Sequence, residues 1–138
     1  MTIRNAAEAD REAWLRLDRH LPERAYARKT AAGEALLLEE AGECLAVLRW
    51  GLFWDSIPFC HLLYVAEGAR GRGLGRALTE HWERLLRSRG FGLVMTSTQA
   101  DENAQHFWRR LGYRDCGGFV LPFPGYEQPT ELILAKPL

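Results

Sequence analysis

The stretch "VAEGARGRGLGRAL", residues 65–78, sets four glycines and three arginines between an apolar run and the first apolar positions of a helix. Glycine inside a regular element costs about 0.5–1 kcal/mol relative to alanine, so such a cluster marks a turn whose backbone has a task of its own. Upstream, "IPFCHLLYVAE" (57–67) is nearly continuously apolar and reads as a strand. Downstream, Leu74, Ala77, Leu78, Trp82, Leu85 and Leu86 recur at helical spacing, with Gly90 as the terminating cap. "GLVMTST" (92–98) then reads as a second strand. A strand, helix, strand order implies a right-handed crossover that lays the strands parallel. The glycine-rich turn therefore sits at the carboxyl end of the first strand.

On the amino-terminal side, a short apolar start at Ile3 precedes residues 8–20, where Ala9, Ala13, Trp14 and Leu17 fall at helical spacing. Pro22 suits the first position of a second helix. "EALLLEE" (34–40) and "ECLAVLRWGLFW" (43–54), separated by Ala41-Gly42, read as a hairpin. On the carboxyl side, Asp101 is placed to cap a short helix carrying Ala104, Phe107, Trp108 and Leu111, closed by Gly112. "YRDCGGFVL" (113–121) and "TELILAKPL" (130–138) read as the last strands, joined by the turn-rich "PFPGYEQP" (122–129). The expected fold is α/β (α+β): one domain, residues 1–138, with a mixed, mostly antiparallel sheet flanked by helices.

Composition narrows the function classes. The 138 residues, 47% hydrophobic, suit one globular domain. Eighteen basic residues balance eighteen acidic ones, so no global field draws nucleic acid or an anionic membrane, and an anion site must be local. The opening MTIRNAAEAD lacks a signal-peptide apolar region, and no apolar run approaches the roughly 18 residues of a membrane span; a cytoplasmic location is expected. Cys44, Cys60 and Cys116, odd in number and set among apolar residues, suggest buried reduced thiols without a disulfide framework.

The turn fits neither common phosphate fingerprint. Counting from Gly71, the sixth position of G-x-G-x-x-G is Arg76, and Gly73 is followed by Leu74 where a P-loop has lysine. What remains is Arg70-x-x-Gly73-x-Gly75 after a strand and opening a helix, where unpaired amides and the positive helix end favour an anion. On the turn alone, a structural turn with solvated arginines is an equal reading.

The pattern resembles the acetyl-CoA motif of the GNAT superfamily of N-acetyltransferases, Arg/Gln-x-x-Gly-x-Gly/Ala, at Arg70, Gly73 and Gly75. "NAQHFWRRLGY" (103–113) resembles the family's late A-x-x-F-Y-x-x-x-G-F signature at Ala104, Phe107, Gly112 and Tyr113, and the order of elements also matches. The resemblance implies a GNAT-like fold, with acetyl-CoA as co-substrate and no metal. It implies that the amides of Arg70, Gly71, Arg72, Gly73, Leu74, Gly75 and Arg76 hold the pyrophosphate. The backbone of Tyr64 and Val65 would pair with the pantetheine arm like an added strand.

Acetyl transfer needs the amine, with a pKa near 10 for an alkylamine, to lose its proton, and an oxyanion to be stabilised. By the resemblance His61, four residues before Val65, matches a glutamate that draws the substrate proton in some relatives; a structural histidine is the equal alternative. Trp108 stands where many relatives carry tyrosine, and an indole N–H cannot deliver a proton, so either Tyr64, Tyr113 or water is the donor or the thiolate, with a thiol pKa near 8.5, leaves unprotonated, and Trp108 is left as core or a wall against the coenzyme. Asp101 stands where relatives commonly carry a coenzyme-contacting asparagine, which Asn103 can replace. "TSTQ" (96–99) offers hydroxyls toward the site, and strand alternation sends either Ser97 or else Thr96 and Thr98 to any one face.

The acceptor is expected to be a primary amine of a small molecule or peptide. Trp54 and Asp55 suit a cationic amine by cation–π attraction and ion pairing, and Trp14 lies on the helix that borders the acceptor pocket in this family. The competing expectation for the hairpin is aromatics that fill the core and an aspartate that starts a turn. A non-catalytic acyl-CoA sensor is the alternative function, nucleic-acid binding is disfavoured by the neutral charge, and a homodimer stays open.

Overall fold

The computed structural model describes residues 1–138. The elements are β1 (Thr2–Asn5), a 3-10 turn at Glu8–Asp10, α1 (Arg11–Leu17), α2 (Glu23–Ala31), β2 (Ala35–Glu40), β3 (Glu43–Phe53) and β4 (Ile57–Val65), followed by α3 (Leu74–Ser88), β5 (Leu93–Gln99), α4 (Ala104–Arg110), β6 (Arg114–Phe119) and β7 (Glu131–Pro137). One sheet of seven strands runs in the order β1-β2-β3-β4-β5-β7-β6. Every pairing is antiparallel except β4 with β5. This is the mixed, mostly antiparallel architecture that the element order implied.

The helices cover both faces. Leu74, Leu78, Trp82 and Leu86 of α3 join Leu36, Leu38, Leu48 and Val94 of the sheet in the larger core, while Trp14 and Tyr26 of α1 and α2 pack on Ala35, Leu37 and Val47 from the other side. Leu36, Leu37 and Leu38 are all buried, which explains why β2 is a continuous apolar run and not an alternating one. Burial of a leucine contributes about 1.5–3 kcal/mol, so the β2–β3 region is the rigid centre on which the rest is hung.

Several boundaries differ from the sequence reading, each for a tertiary reason. The first helix is α-helical only from Arg11 to Leu17, because Asp18 leaves the helix with φ −103° and ψ 92°. Its buried carboxylate accepts the amides of His20 and Leu21 (3.2 Å each), the Trp14 indole (3.1 Å) and Arg49 Nε (2.6 Å). Asp101 does not cap α4; Asn103 occupies that position without a side-chain bond, and Gln105 Nε2 instead ties down the carbonyls of Ala100 and Glu102 at 2.7 and 3.0 Å. Cys116 is exposed on β6, whereas Cys60 is buried and its thiol is pushed up to about 12 by burial.

Candidate active site

The site begins with a strand that fails to stay paired. β4 and β5 match only at Phe59 with Met95 and Cys60 with Thr96, then diverge, while β5 continues along β7 to Gln99. On the other edge of β4, Trp50 faces Cys60 but Arg49 faces Leu62, which leaves His61 as an unmatched bulge residue. A bulge bends its strand and raises its twist, and this one lies where the two strands part. The divergence opens a cleft of about 1160 Å³ lined by His61 to Val65 on β4, Thr96 to Gln99 on β5, Arg70, Gly71 and Gly75 of the turn, and Asn103, Ala104, Phe107 and Trp108 at the start of α4.

Backbone groups of β4 face this cleft. Ala66 donates its amide to Leu45 on β3 at 2.8 Å, so by strand alternation Tyr64 and Leu62 turn their backbone groups to β3, and Val65 and Leu63 turn theirs away. The Val65 carbonyl accordingly accepts Arg70 Nε at 3.1 Å. Of the two residues expected to offer a free strand edge, Val65 does so, together with Leu63, whereas the backbone of Tyr64 is turned to β3. Tyr64 lines the cleft with its side chain, beneath the Arg70 guanidinium at 5.2 Å from the ring centroid.

At the carboxyl end of β4 the chain turns through Gly71 (φ +79°) and Gly73 (φ +78°), and Gly73 is the N-cap of α3 without any side-chain cap. The amides of Gly71, Arg72 and Gly73 donate to no carbonyl of the chain, and those of Leu74, Gly75 and Arg76 belong to the first helical turn, which has no intrahelical acceptor. A methyl on Gly75 would touch Val65 Cγ2 at 3.5 Å and Phe107 Cζ at 3.6 Å, so the backbone there lies close to the cleft wall. The arginines are partly committed: Arg72 pairs with Glu40 and Arg76 with Glu80, both at 2.7 Å. Positive character at the turn comes from the amides and Arg70.

His61 sits exposed on the rim of the cleft. It lies 5.7 Å from the Phe59 ring, and a methyl on Gly51 of β3 would come within 2.8 Å of its Cε1. The same methyl would stand 3.2 Å from Lys29 Nζ, which donates to the Trp50 carbonyl at 2.6 Å and to Glu34 at 3.2 Å. Burial, then Lys29 and Arg49, lower the His61 pKa to about 4. The imidazole is neutral at physiological pH, more firmly than its ordinary value implies, and is a correspondingly weaker base.

The remaining residues singled out by sequence divide. Ser97, Asn103 and Trp108 line the cleft; Trp108 is also nearly buried, edge-on to Phe107 and Tyr113. Tyr113 does not reach the cleft: it is buried, donates its hydroxyl to Glu83 at 2.9 Å, and burial followed by the Glu83 charge raises its pKa far above the usual phenol range. That removes it as a proton donor. Trp14 is fully buried on Asp18 and is core. Trp54 and Asp55 occupy the tip of the β3–β4 hairpin outside the cleft, and Trp54, 77% exposed, fills no core. Sequence reasoning missed His20, Gln99, Gln128 and Glu131, which also line the cleft. His20 is held there by Asp18, a long-range tie to Arg49 that no local pattern announces. No cluster of three or more His, Cys, Asp or Glu side chains is arranged for a metal ion, and no helix is long and apolar enough to cross a membrane.

Comparison with known proteins agrees with this geometry. Streptothricin acetyltransferase of Streptomyces lavendulae is 43% identical over 65 residues, which cover 46% of this chain and 34% of that protein. Mycothiol acetyltransferase of Rhodococcus jostii is 39% identical over 59 residues, 42% of this chain and 19% of that protein. The chain thus matches about a third or less of the length of these curated relatives. In fold, it superposes with a TM-score of 0.83 on a putative acetyltransferase from Salmonella typhimurium solved with its cofactor acetyl-CoA, at 19% identity over 100% of this chain and 94% of the other. Residues 2–113 match the model of the acetyltransferase (GNAT) family, and the chain belongs to that family.

Proposed function

We propose that residues 1–138 form one N-acetyltransferase domain that moves the acetyl group of acetyl-CoA to a primary amine of a small molecule or peptide, by direct attack in a ternary complex. The observation that carries this reading is the parting of β4 from β5 beside a run of unpaired amides. Those features fit the coenzyme: the amides of residues 71–76 suit a pyrophosphate at a helix N-terminus, and the free edge at Leu63 and Val65 suits the amides of a pantetheine arm. Asn103, Phe107 and Trp108 wall the same side. When bound, the coenzyme supplies a thioester, the activated form of the acetyl group.

The chain's own part is to bind, align and handle a proton. His61 Nε2 or Nδ1 takes the acceptor's proton, directly or through water. A base with a pKa near 4 faces an alkylammonium near 10, so this transfer is steeply uphill unless the amine arrives neutral. The nearby Lys29 and Arg49 charges that lower the His61 pKa also disfavour a bound ammonium. The site therefore selects the neutral amine. Among the candidate donors, Tyr64 is the phenol that lines the cleft, and the indole N–H of Trp108 is too weak an acid to protonate a thiolate.

Free-thiol release from acetyl-CoA across arylalkylamines, polyamines, amino acids, aminoglycosides and peptides tests the activity, with acetyl-CoA binding followed by calorimetry. Amine-dependent thiol release is expected. Tight coenzyme binding with no release for any amine would make the protein an acyl-CoA sensor.

A further inference from the structure

Four rings follow one another along a single face of the β3–β4 hairpin and end at the cleft. Centroids of Trp54 and Phe53 are 4.7 Å apart, those of Phe53 and Phe59 6.1 Å, and those of Phe59 and His61 5.7 Å. The first two rings are open to solvent, Phe53 at 38% and Trp54 at 77% exposure. The turn that carries them is closed by the Ser56 amide on the Phe53 carbonyl, and its central residues, Trp54 (φ 54°) and Asp55 (φ 56°), both adopt left-handed backbone. Bulky residues are outliers there, and such turns favour Asn-Gly or Asp-Gly; the equivalent turn between β2 and β3 uses Ala41-Gly42. Trp54 thus gains neither burial nor backbone ease from its place in the fold, which directs attention to what its ring meets in solution.

We infer that this aromatic row is the acceptor ledge, and that the acceptor is an amine bearing an aryl or similarly flat apolar arm. The inference rests on the acetyl-transfer reading, because the attacking nitrogen must come within reach of His61. From His61 the row leads away from the glycine-rich turn toward the hairpin tip, so an arm attached to that nitrogen lies along it, on the side opposite the coenzyme phosphates. The cations beside the inner end of the row are each paired, Arg49 with Asp18 at 2.6 Å and Lys29 with Glu34 at 3.2 Å, so what the row itself offers an arm is ring surface. Rings in offset or tilted contact with a bound aryl group add attraction beyond area burial.

The test compares kcat/KM for 4-(biphenyl-4-yl)butylamine, whose arm is long enough to lie along the row to the hairpin tip, and butylamine in the wild type, Trp54→Ala and Phe119→Ala, the last being an exposed aromatic on β6 outside the row. The wild type should favour the aryl amine, and Trp54→Ala should lower that preference roughly tenfold, with Phe119→Ala holding it. A preference indifferent to Trp54→Ala overturns the ledge while leaving acetyl transfer standing. Should neither amine be acetylated, calorimetric titration of 4-(biphenyl-4-yl)butylamine decides separately: binding weakened by Trp54→Ala supports the ledge and fails the transfer reading, whereas no binding, or equal binding, overturns the ledge. A drop in oligomeric state on Trp54→Ala, with the preference unchanged, would make the row a contact between copies of this chain and also overturn it.

Discussion

Two turns flank β4, and both use left-handed backbone, yet they spend it differently. At residues 70–75 the positive φ values belong to Gly71 and Gly73, whose lack of side chains leaves the amides open to an approaching anion. At residues 53–56 they belong to Trp54 and Asp55, so a strained backbone presents a large ring and a carboxylate to solvent. The first turn works through its main chain and the second through its side chains. His61 lies between them at the bulge, where the glycine-rich end and the aromatic end of the same strand meet.

If the first turn acts through its backbone, Gly73→Val should weaken acetyl-CoA binding by more than about 100-fold, the equivalent of at least one or two charge-assisted hydrogen bonds. Calorimetry with unchanged affinity would break the contrast. At the junction, His61→Ala should lower kcat by about 100-fold with coenzyme affinity retained. The sign of its pH dependence follows from the lowered pKa. Folded His61 is already deprotonated above about pH 4, so kcat/KM should climb with pH toward the acceptor's own pKa and show no break near 6.5. A break there that vanishes in His61→Ala would restore an ordinary catalytic histidine.

Smaller effects sharpen the comparison. Trp108 closes the glycine-rich end as a packed wall, so Trp108→Tyr should cost about 1–3 kcal/mol in thermal unfolding and give no faster thiol release. Trp54→Asn, which places a residue tolerant of left-handed φ at the hairpin tip, should stabilise the protein by about 0.5–1 kcal/mol while raising KM for an aryl amine long enough to reach the tip. A stability loss there would mean that the Trp54–Phe53 contact holds the hairpin together.

Much of the coenzyme half was legible before any coordinates. Glycine and helix-face leucine are local signals: the 3.6-residue period of Leu74, Leu78 and Trp82 and the two glycines before them specify a strand, turn and helix almost without reference to the rest of the chain. The acceptor half was not. Whether Phe53 and Trp54 fill a core or face water depends on which helix covers that end of the sheet, and α2 reaches Gly51 with Lys29 but leaves the tip bare. Tyr113 matched a motif position, yet its fate was decided by Glu83, thirty residues earlier on α3.

The amino-acid sequence by itself determined the order of strands and helices, the parallel step around α3, and the place of the glycine-rich turn, because each follows from short-range periodicity and the steric freedom of glycine. The tertiary structure alone decided that His61 is a bulge residue with a weakened base, that Asp18 draws His20 to the cleft, and that the hairpin rings form one exposed row. Those outcomes depend on register and burial. A shift of one residue in the pairing of β3 with β4 would turn His61 and the hairpin rings to another face, and no local stretch of sequence encodes that choice.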